Sequence, residues 1–175
     1  LRCLVGSEMC IRDSSSADKL YGDSGNDYLS GGSSADKLYG GSGKDKLVGG
    51  TSNDRLYGGS SSDKLYGNSG KDYLKAHSGN DKLYGGSGND TLIGGTGKDD
   101  LYGGSGKDLF KLTKGSGYDR IRDFKKGQDK IYVKGFKSLR ISDVGSHTKI
   151  YNGSKDLLAI IYNEDNLRKS GNYLI

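Results

Sequence analysis

One stretch decides the fold of this chain: Gly85-Gly86-Ser87-Gly88-Asn89-Asp90-Thr91-Leu92-Ile93. Its pattern, G-G-x-G-x-D-x-L-x, recurs every nine residues over most of the 175 residues. Aspartate fills the sixth position eleven times without a gap, from Asp18 to Asp108. An apolar residue follows two positions later each time, as leucine ten times and finally as Phe110. A fixed period of this kind predicts a repeat architecture.

Each nonapeptide predicts one tight turn followed by one short strand. Glycines at the first, second and fourth positions permit the positive φ that such a turn needs. We expect residues six to nine to form the strand, where alternation sends the leucine to one face and its neighbours to the other. Two nonapeptides then make a coil of 18 residues, flattened between two parallel sheets, and leucines from both sheets meet inside.

Stacked coils sort the aspartates into two rows. Residues one coil apart lie at the strand spacing of roughly 4.8 Å. Adjacent carboxylates at that distance repel by about 3 to 4 kcal/mol at an effective dielectric near 20, so the rows need a cation between them. One row holds Asp18, Asp36, Asp54, Asp72, Asp90 and Asp108, and the other holds Asp27, Asp45, Asp63, Asp81 and Asp99.

Ca²⁺ suits these turns best, because it takes six to eight oxygen ligands and glycine-rich turns expose their carbonyls. Mg²⁺ prefers a tighter octahedron and keeps its waters, and Zn²⁺ wants Cys or His, which the repeats almost lack. The alternative is a metal-free solenoid whose aspartates only cap turns, a position that aspartate favours. The candidate ligands for several Ca²⁺ ions are Asp27, Asp45, Asp54, Asp63, Asp72, Asp81, Asp90, Asp99, Asp108, Gly40, Gly43, Gly85, Gly88, Gly94, Gly97, Gly103 and Gly106.

The turns are unequal, and the complete ones cluster toward the carboxyl end. Serine, which tolerates positive φ less well than glycine, fills the fourth position at Ser16, Ser34, Ser52 and Ser61. Other turn glycines are replaced by Asn68, Ala76 and His77. Because the best turns span residues 40–45, 85–90, 94–99 and 103–108, we expect calcium to be held best toward the carboxyl end of the repeats.

Three segments differ in composition. Residues 1–12 share no pattern with the repeats, and Glu8–Ser14 resembles a translated sequencing adaptor, so we expect a non-native leader there. Both cysteines lie in that leader, and no disulfide is inferred. Residues 13–111 hold the eleven repeats, with 14 acidic and 12 basic residues. Residues 112–175 are basic, with 13 basic and 7 acidic residues, and their longest apolar run, Leu157–Tyr162, suits a buried strand.

Tyrosines and basic residues also recur at the coil spacing. The tyrosine sets are Tyr21, Tyr39 and Tyr57, and Tyr66, Tyr84 and Tyr102; beside them run Lys19, Lys37 and Arg55, and Lys46, Lys64 and Lys82. Each tyrosine set predicts an exposed ladder. These rows fit a surface for an acidic polysaccharide or another polyanion. We favour the alternative, a structural role in which the rings stack and a solvated face softens the aspartate charge.

The register breaks after Lys111. There follow Asp119-Arg120-Ile121-Arg122-Asp123-Phe124 and then Gly127-Gln128-Asp129-Lys130-Ile131. With the nonapeptides, this D-x-I-x-D-F…G-x-D-x-I segment resembles the RTX (hemolysin-type) calcium-binding repeat proteins over about residues 13–175. The resemblance implies an all-β fold, a right-handed parallel β-roll, or β-solenoid, of nonapeptide repeats. It also implies that residues 112–175 form a carboxyl-terminal β-strand cap and carry a type I secretion signal.

Within the cap, residues 149–151 and 157–161 predict two strands around an Asn152-Gly153 turn. A solenoid end exposes unpaired strand edges, so a different terminal unit is expected to cover it. Asp119 and Asp123 either ligate a further ion or take an ordinary turn role.

No catalytic constellation is visible. His77 and His147 are the only histidines, and neither H-E-x-x-H nor G-x-S-x-G occurs. The leading hypothesis is a non-enzymatic, secreted module that folds on Ca²⁺ in the extracellular space and leaves by the type I secretion machinery, with any catalytic domain upstream. The alternative is a binding module for an acidic polysaccharide or a cell surface. An ice-binding solenoid would need a flat threonine array, which is lacking. No nucleic-acid partner and no transmembrane segment are expected.

Overall fold

The computed structural model describes residues 9–14, 16–133, 135–136, 139–153, 156–162 and 167–175, with the backbone alone for 9–14 and 169. Strands and turns make up this part of the chain, and it includes no helix long and apolar enough to cross a membrane. The strands are β1 (Met9–Ser14), β2 (Lys19–Tyr21), β3 (Tyr28–Gly32), β4 (Lys37–Ser42), β5 (Lys46–Thr51), β6 (Arg55–Ser60), β7 (Lys64–Ser69), β8 (Tyr73–Ser78), β9 (Lys82–Ser87), β10 (Thr91–Thr96), β11 (Asp100–Ser105), β12 (Leu109–Lys111), β13 (Asp119–Ile121), β14 (Lys130–Tyr132), β15 (Leu139–Val144), β16 (His147–Asn152), β17 (Asp156–Tyr162), β18 (Lys169–Ser170) and β19 (Tyr173–Leu174).

Successive strands alternate between two sheets, as the nonapeptide period predicts. One sheet runs β1-β3-β5-β7-β9-β11-β13-β17-β16-β15, and the other runs β18-β19-β14-β12-β10-β8-β6-β4-β2. Within the repeats all neighbours are parallel and offset by one coil, so that Leu38 pairs with Leu56 and Tyr39 with Tyr57. The chain is therefore a β-solenoid with an 18-residue coil, which confirms the expected fold class.

The strands are longer than predicted. Instead of covering only residues six to nine of a repeat, β4 continues through Gly40 and Gly41 to Ser42, in the next nonapeptide. The ladder can continue because Gly41 adopts φ +106 and still pairs with Gly59 of the next coil. The turn proper is thus confined to about three residues, and the first glycine of each repeat lies inside the roll.

The core is a single column of side chains. Every repeat leucine from Leu20 to Leu101, together with Phe110, is fully buried. The column continues into the cap through Ile121, Phe124 and Ile131. The expected inward face is confirmed, and no break separates the repeats from the residues that follow them.

The cap extends both sheets and then closes them. β13 pairs in parallel with β11 and β14 with β12. β16 and β17 form the antiparallel pair predicted around Asn152-Gly153, and β19 runs antiparallel to β14. The ring of Phe124 lies 6.2 Å from that of Phe110, so the last repeat residue of the core is covered.

At the other end, the predicted leader falls largely on residues 1–8, which lie outside the described residues. The backbone of β1 pairs in parallel with β3, with Cys10 beside Leu29. The first sheet therefore begins at Met9, within the segment predicted as a leader.

Candidate metal centre

The two predicted aspartate rows are present, and their members from Asp27 to Asp108 are buried. Each of these aspartates stands where a turn enters a strand. Within a row, the backbone N–H of one aspartate donates to Oδ1 of the aspartate one coil later. Asp45 N lies 2.9 Å from Asp63 Oδ1, and Asp72 N lies 2.8 Å from Asp90 Oδ1. Asp90 is only 1% exposed. Each carboxylate is therefore oriented by the coil before it.

The second carboxylate oxygen is left without a donor along most of both rows. In the described part of the chain, Oδ2 is buried without a hydrogen-bond partner in Asp36, Asp45, Asp54, Asp63, Asp72, Asp81, Asp90, Asp99 and Asp108. A buried carboxylate oxygen with no partner is costly. Its burial favours whatever neutralises it, either a proton or a cation.

Burial also shifts the protonation of these groups. It raises the pKa of Asp54, Asp63, Asp81 and Asp90 to about 7 and that of Asp108 to about 6. The hydrogen bond from the preceding coil lowers each pKa, and the neighbouring carboxylates raise it again. Desolvation is thus the main reason why the rows resist carrying full negative charge by themselves.

At several repeats a second oxygen lies beside Oδ2 at the first glycine of the repeat. A Cβ added to Gly40 would lie 2.4 Å from Asp45 Oδ2 and 2.5 Å from the carbonyl oxygen of Gly58. At Gly85 the same point lies 2.5 Å from Asp90 Oδ2 and 2.6 Å from the Gly103 carbonyl oxygen. A carboxylate and a carbonyl from successive coils thus converge where only glycine leaves room.

This oxygen-only donor set fits Ca²⁺, which accepts carboxylates and backbone carbonyls together. No group of three or more His, Cys, Asp or Glu side chains that could hold a metal occurs among the described residues. The predicted ligands Gly40, Gly85, Gly94 and Gly103 each stand against the Oδ2 of their own repeat's aspartate, and at Gly40 and Gly85 a carbonyl oxygen of the next coil lies there as well.

The fourth-position glycines form a different contact. Gly43, Gly88, Gly97 and Gly106 adopt φ between +119 and +131. A Cβ on any of them would lie 1.7 Å from the carbonyl oxygen of the residue one coil earlier. Carbonyl oxygens are therefore packed between coils along both turn edges. The role of these glycines as Ca²⁺ ligands stays a prediction.

Substituted turns adapt by changing their backbone. Ser52 and Ser61 adopt φ +82 and +80, inside the left-handed region that a side chain can occupy. Asn68 and His77 do the same, with φ +74 and +82, so His77 replaces a glycine as expected. Whether these turns bind Ca²⁺ more weakly stays a prediction.

The fifth position of the repeat carries a pairing that the sequence reading missed. Asn26 Oδ1 accepts the backbone N–H of Lys44 at 2.7 Å, and Asn89 Oδ1 accepts that of Lys107 at 2.7 Å. Asn53 and Asn80 bond the residues one coil later in the same way. Asparagine followed by lysine 18 residues on was the available signal.

The tyrosine sets do stack, although they are partly rather than fully exposed. The rings of Tyr21 and Tyr39 lie 4.9 Å apart and nearly parallel, as do those of Tyr66 and Tyr84. In the predicted basic rows, Lys46 aligns with Lys64 and Lys64 with Lys82. These contacts account for the ladders structurally and leave their ligand role as a prediction.

The similarity of this chain to known proteins lies mainly in the repeat region. A family model described as RTX calcium-binding nonapeptide repeat (4 copies) matches residues 12–47, 39–74 and 75–110. The solution structure of the AlgE6R3 subunit of the mannuronan C5-epimerase from Azotobacter vinelandii matches at 28% identity, over 67% of this chain and 74% of that one, with a TM-score of 0.27. No curated protein matches the chain.

Proposed function

This chain belongs to the RTX calcium-binding nonapeptide repeat family, and from that premise we propose a module that folds outside the cell by binding several Ca²⁺ ions. The observation that carries the proposal is the buried, donor-free Oδ2 of the nine aspartates of the two rows from Asp36 to Asp108, which in Asp45 and Asp90 lies beside a carbonyl oxygen of the next coil. A folded state with such groups is stable only when they are neutralised.

Side chains and backbone would contribute different ligands to each Ca²⁺ site. Bound Ca²⁺ supplies the positive charge that offsets the carboxylates. Asp63 and Asp81 are held in line by the backbone N–H bonds between coils, so their carboxylates are positioned before an ion arrives. The first glycines keep the space open, and their carbonyls add oxygens that carry no further charge to repel.

Ligand concentration then decides the state of the chain. Extracellular Ca²⁺ sites bind at about 10⁻⁴ to 10⁻³ M. A site with a Kd of about 0.1 mM contributes about 1.4 kcal/mol of folding free energy at about 1 mM Ca²⁺, and several sites add. Where Ca²⁺ is scarce the rows oppose folding, and a disordered chain suits export by the type I secretion machinery.

Circular dichroism at pH 7.5 tests the folding proposal. We expect little β structure in EGTA and a cooperative gain of β structure at millimolar Ca²⁺, but not at the same concentration of Mg²⁺. Replacing Asp72 and Asp90 together by Asn should move the midpoint to higher Ca²⁺. A β spectrum in EGTA equal to that in Ca²⁺ would show that the roll needs no ion.

We place the export signal in residues 112–175 and assign no catalytic role to this chain. A passenger protein fused to residues 112–175 should reach the medium of a host that expresses a type I exporter, and a fusion to residues 13–111 should not. Equal export of the two fusions contradicts this assignment.

A second candidate function is binding of an acidic polysaccharide. A groove of about 460 Å³ is lined by Lys37, Arg55, Lys71 and Tyr73, and also by Asp36, Asp54 and Asp72 of one aspartate row. It places three cations beside an aromatic ring, and Ca²⁺ bound at the aspartates would leave those cations free to meet an anionic polymer. Replacing the three cations by Gln should abolish salt-sensitive retention on a polyuronate column. The matched change of Lys46, Lys64 and Lys82 on the other sheet should leave that retention in place.

A further inference from the structure

Two aspartates outside the nonapeptides continue the two rows into the cap. Asp108 N donates to Asp129 Oδ1 at 2.9 Å, the bond that joins successive repeats elsewhere. In the other row, the pairing of Asp100 with Arg120 places Asp119 beside Asp99, and Asp119 is 4% exposed. Both rows are therefore one residue longer than the repeats themselves.

The row that ends at Asp129 is closed by backbone donors. Oδ1 of Asp129 accepts from Asp108, and Oδ2 accepts the N–H of Lys125 at 2.8 Å. Asp123 nearby accepts the N–H groups of Gly103 and Gly104, each at 2.8 Å. These two carboxylates are occupied in capping the last coil.

The row that ends at Asp119 is built differently. A Cβ on Gly94 would lie 2.4 Å from Asp99 Oδ2 and 2.7 Å from Asp119 Oδ1. At Gly40, inside the roll, the second oxygen is the carbonyl of Gly58. At the junction of roll and cap, a carboxylate therefore takes the place of a carbonyl.

One protein cation, Arg120, acts on Asp99 through its charge, but its hydrogen bond goes to another carboxylate. The guanidinium groups of Arg120 and Arg122 bind the carboxylate of Asp100, each at 2.8 Å. No donor in the described residues reaches Asp99 Oδ2. The carboxyl groups of Asp99 and Asp119 themselves lie within hydrogen-bonding reach of each other. Two buried carboxyl groups that converge in this way must share either a proton or a cation.

We propose that Asp99 and Asp119 hold a Ca²⁺ ion at the junction between the roll and the cap. The inference rests on the proposed function and adds a site that lies partly outside the nonapeptides. Two carboxylates give this site a higher ligand charge than a site of one carboxylate and one carbonyl, and ligand charge raises Ca²⁺ affinity. The row stops there because Asp119 pairs on its far side with Ala159.

Counting ions on the full chain by native mass spectrometry in Ca²⁺ tests this site. Asp119→Asn should bind one Ca²⁺ fewer than the wild type, whereas the control Asp129→Asn should bind the same number. The two variants should also differ in stability. Asp119→Asn should need more Ca²⁺ to fold but should unfold no more easily than the wild type in EGTA at pH 5, because the neutral Asn amide adds no charge to this buried site. Asp129→Asn, which weakens a cap, should be less stable in both conditions.

An unchanged ion count in Asp119→Asn would overturn the inference and leave Asp119 a structural partner of Asp99. If the wild type binds no Ca²⁺ at all, the proposed function fails instead. A crystal structure of the wild-type chain grown in Ca²⁺ serves if Asp119→Asn does not fold. An ion between Asp99 and Asp119 supports the site, and a direct carboxyl–carboxylate hydrogen bond there refutes it.

Discussion

Without calcium, the stability of the roll should depend steeply on pH. The pKa of Asp54, Asp63, Asp81 and Asp90 is raised from 3.8 to about 7 in the fold, chiefly by burial. At a pH between 3.8 and about 7, the folded chain therefore binds more protons than the unfolded chain. Stability from these groups is therefore fully present below pH 3.8 and is lost as the pH rises through about 7.

The size of the effect follows from the number of protons. Each proton held only by the folded state changes the unfolding free energy by about 1.4 kcal/mol per pH unit. Four carboxylates give about 3 to 5 kcal/mol per pH unit between about pH 5 and 6, the lower figure allowing for solvent at the turn edges. That loss is comparable with the whole stability of a small domain.

Circular dichroism in EGTA from pH 5 to 8 measures this dependence. In EGTA we expect β structure near pH 5 and its loss before the pH reaches 8. Once Ca²⁺ is added, we expect β structure at both pH values. Asp63→Asn should reduce the slope by about 1 kcal/mol per pH unit and stabilise the calcium-free roll at pH 8. Asp156→Asn, which changes an exposed carboxylate at the start of β17, should do neither.

Equal folding at pH 5 and pH 8 in EGTA would refute the reasoning, since it would mean that the buried carboxylates carry no pH-dependent cost. A roll that is less stable at pH 5 than at pH 8 would reverse the sign and exclude desolvation as the main influence on the rows.

Three further predictions concern the turns and the cap. Asp90→Ala should weaken Ca²⁺-dependent folding more than Asp36→Ala, by about 1 kcal/mol in a titration followed by circular dichroism, because the turns of Asp90 and Asp108 keep all three glycines whereas Ser34 replaces one in the turn of Asp36; equal shifts would contradict this ranking. A chain ending at Lys111 should stay disordered at a Ca²⁺ concentration that folds the whole protein, whereas loss of one interior 18-residue coil should be tolerated. Gly88→Ala should destabilise the calcium-loaded fold by at least about 3 kcal/mol in urea unfolding, since its Cβ would meet a carbonyl oxygen of the previous coil, while Gly127→Ala, with open space around it, should cost about 1 kcal/mol from its positive φ alone.

The repeats could be predicted closely from the sequence, because a strict period converts directly into register. Once Asp36 and Asp54 are known to be one coil apart, the stacked rows and the inward leucines follow from strand geometry. The cap strands of residues 147–162 were also predictable, since an apolar run beside an Asn152-Gly153 turn is typical of a hairpin.

The ends of the rows could not be predicted in the same way. Asp119 follows Asp99 by 20 residues and Asp129 follows Asp108 by 21, so both depart from the 18-residue spacing. The additional residues lie in loops and the strands remain paired. The aspartates of the cap therefore stay beside the last repeat aspartates in space, although the 18-residue spacing is lost. The longer strands were missed because glycine is normally read as a strand breaker, whereas here stacked glycines continue the ladder.

The direction of the bonds between aspartates gives the solenoid a polarity. From Asp18 to Asp90 the backbone N–H of each repeat aspartate, as in Asp72, donates to the carboxylate of the coil that follows it, and for Asp108 that acceptor is Asp129 of the cap. A coil made early in the chain is thus incomplete until the next 18 residues are in place. In a chain that emerges amino end first, each coil is completed only after the next 18 residues have emerged, and the last coil waits for the cap. Assembly that starts at the cap and moves toward the amino end meets no such delay, since every coil added there finds its acceptor already formed.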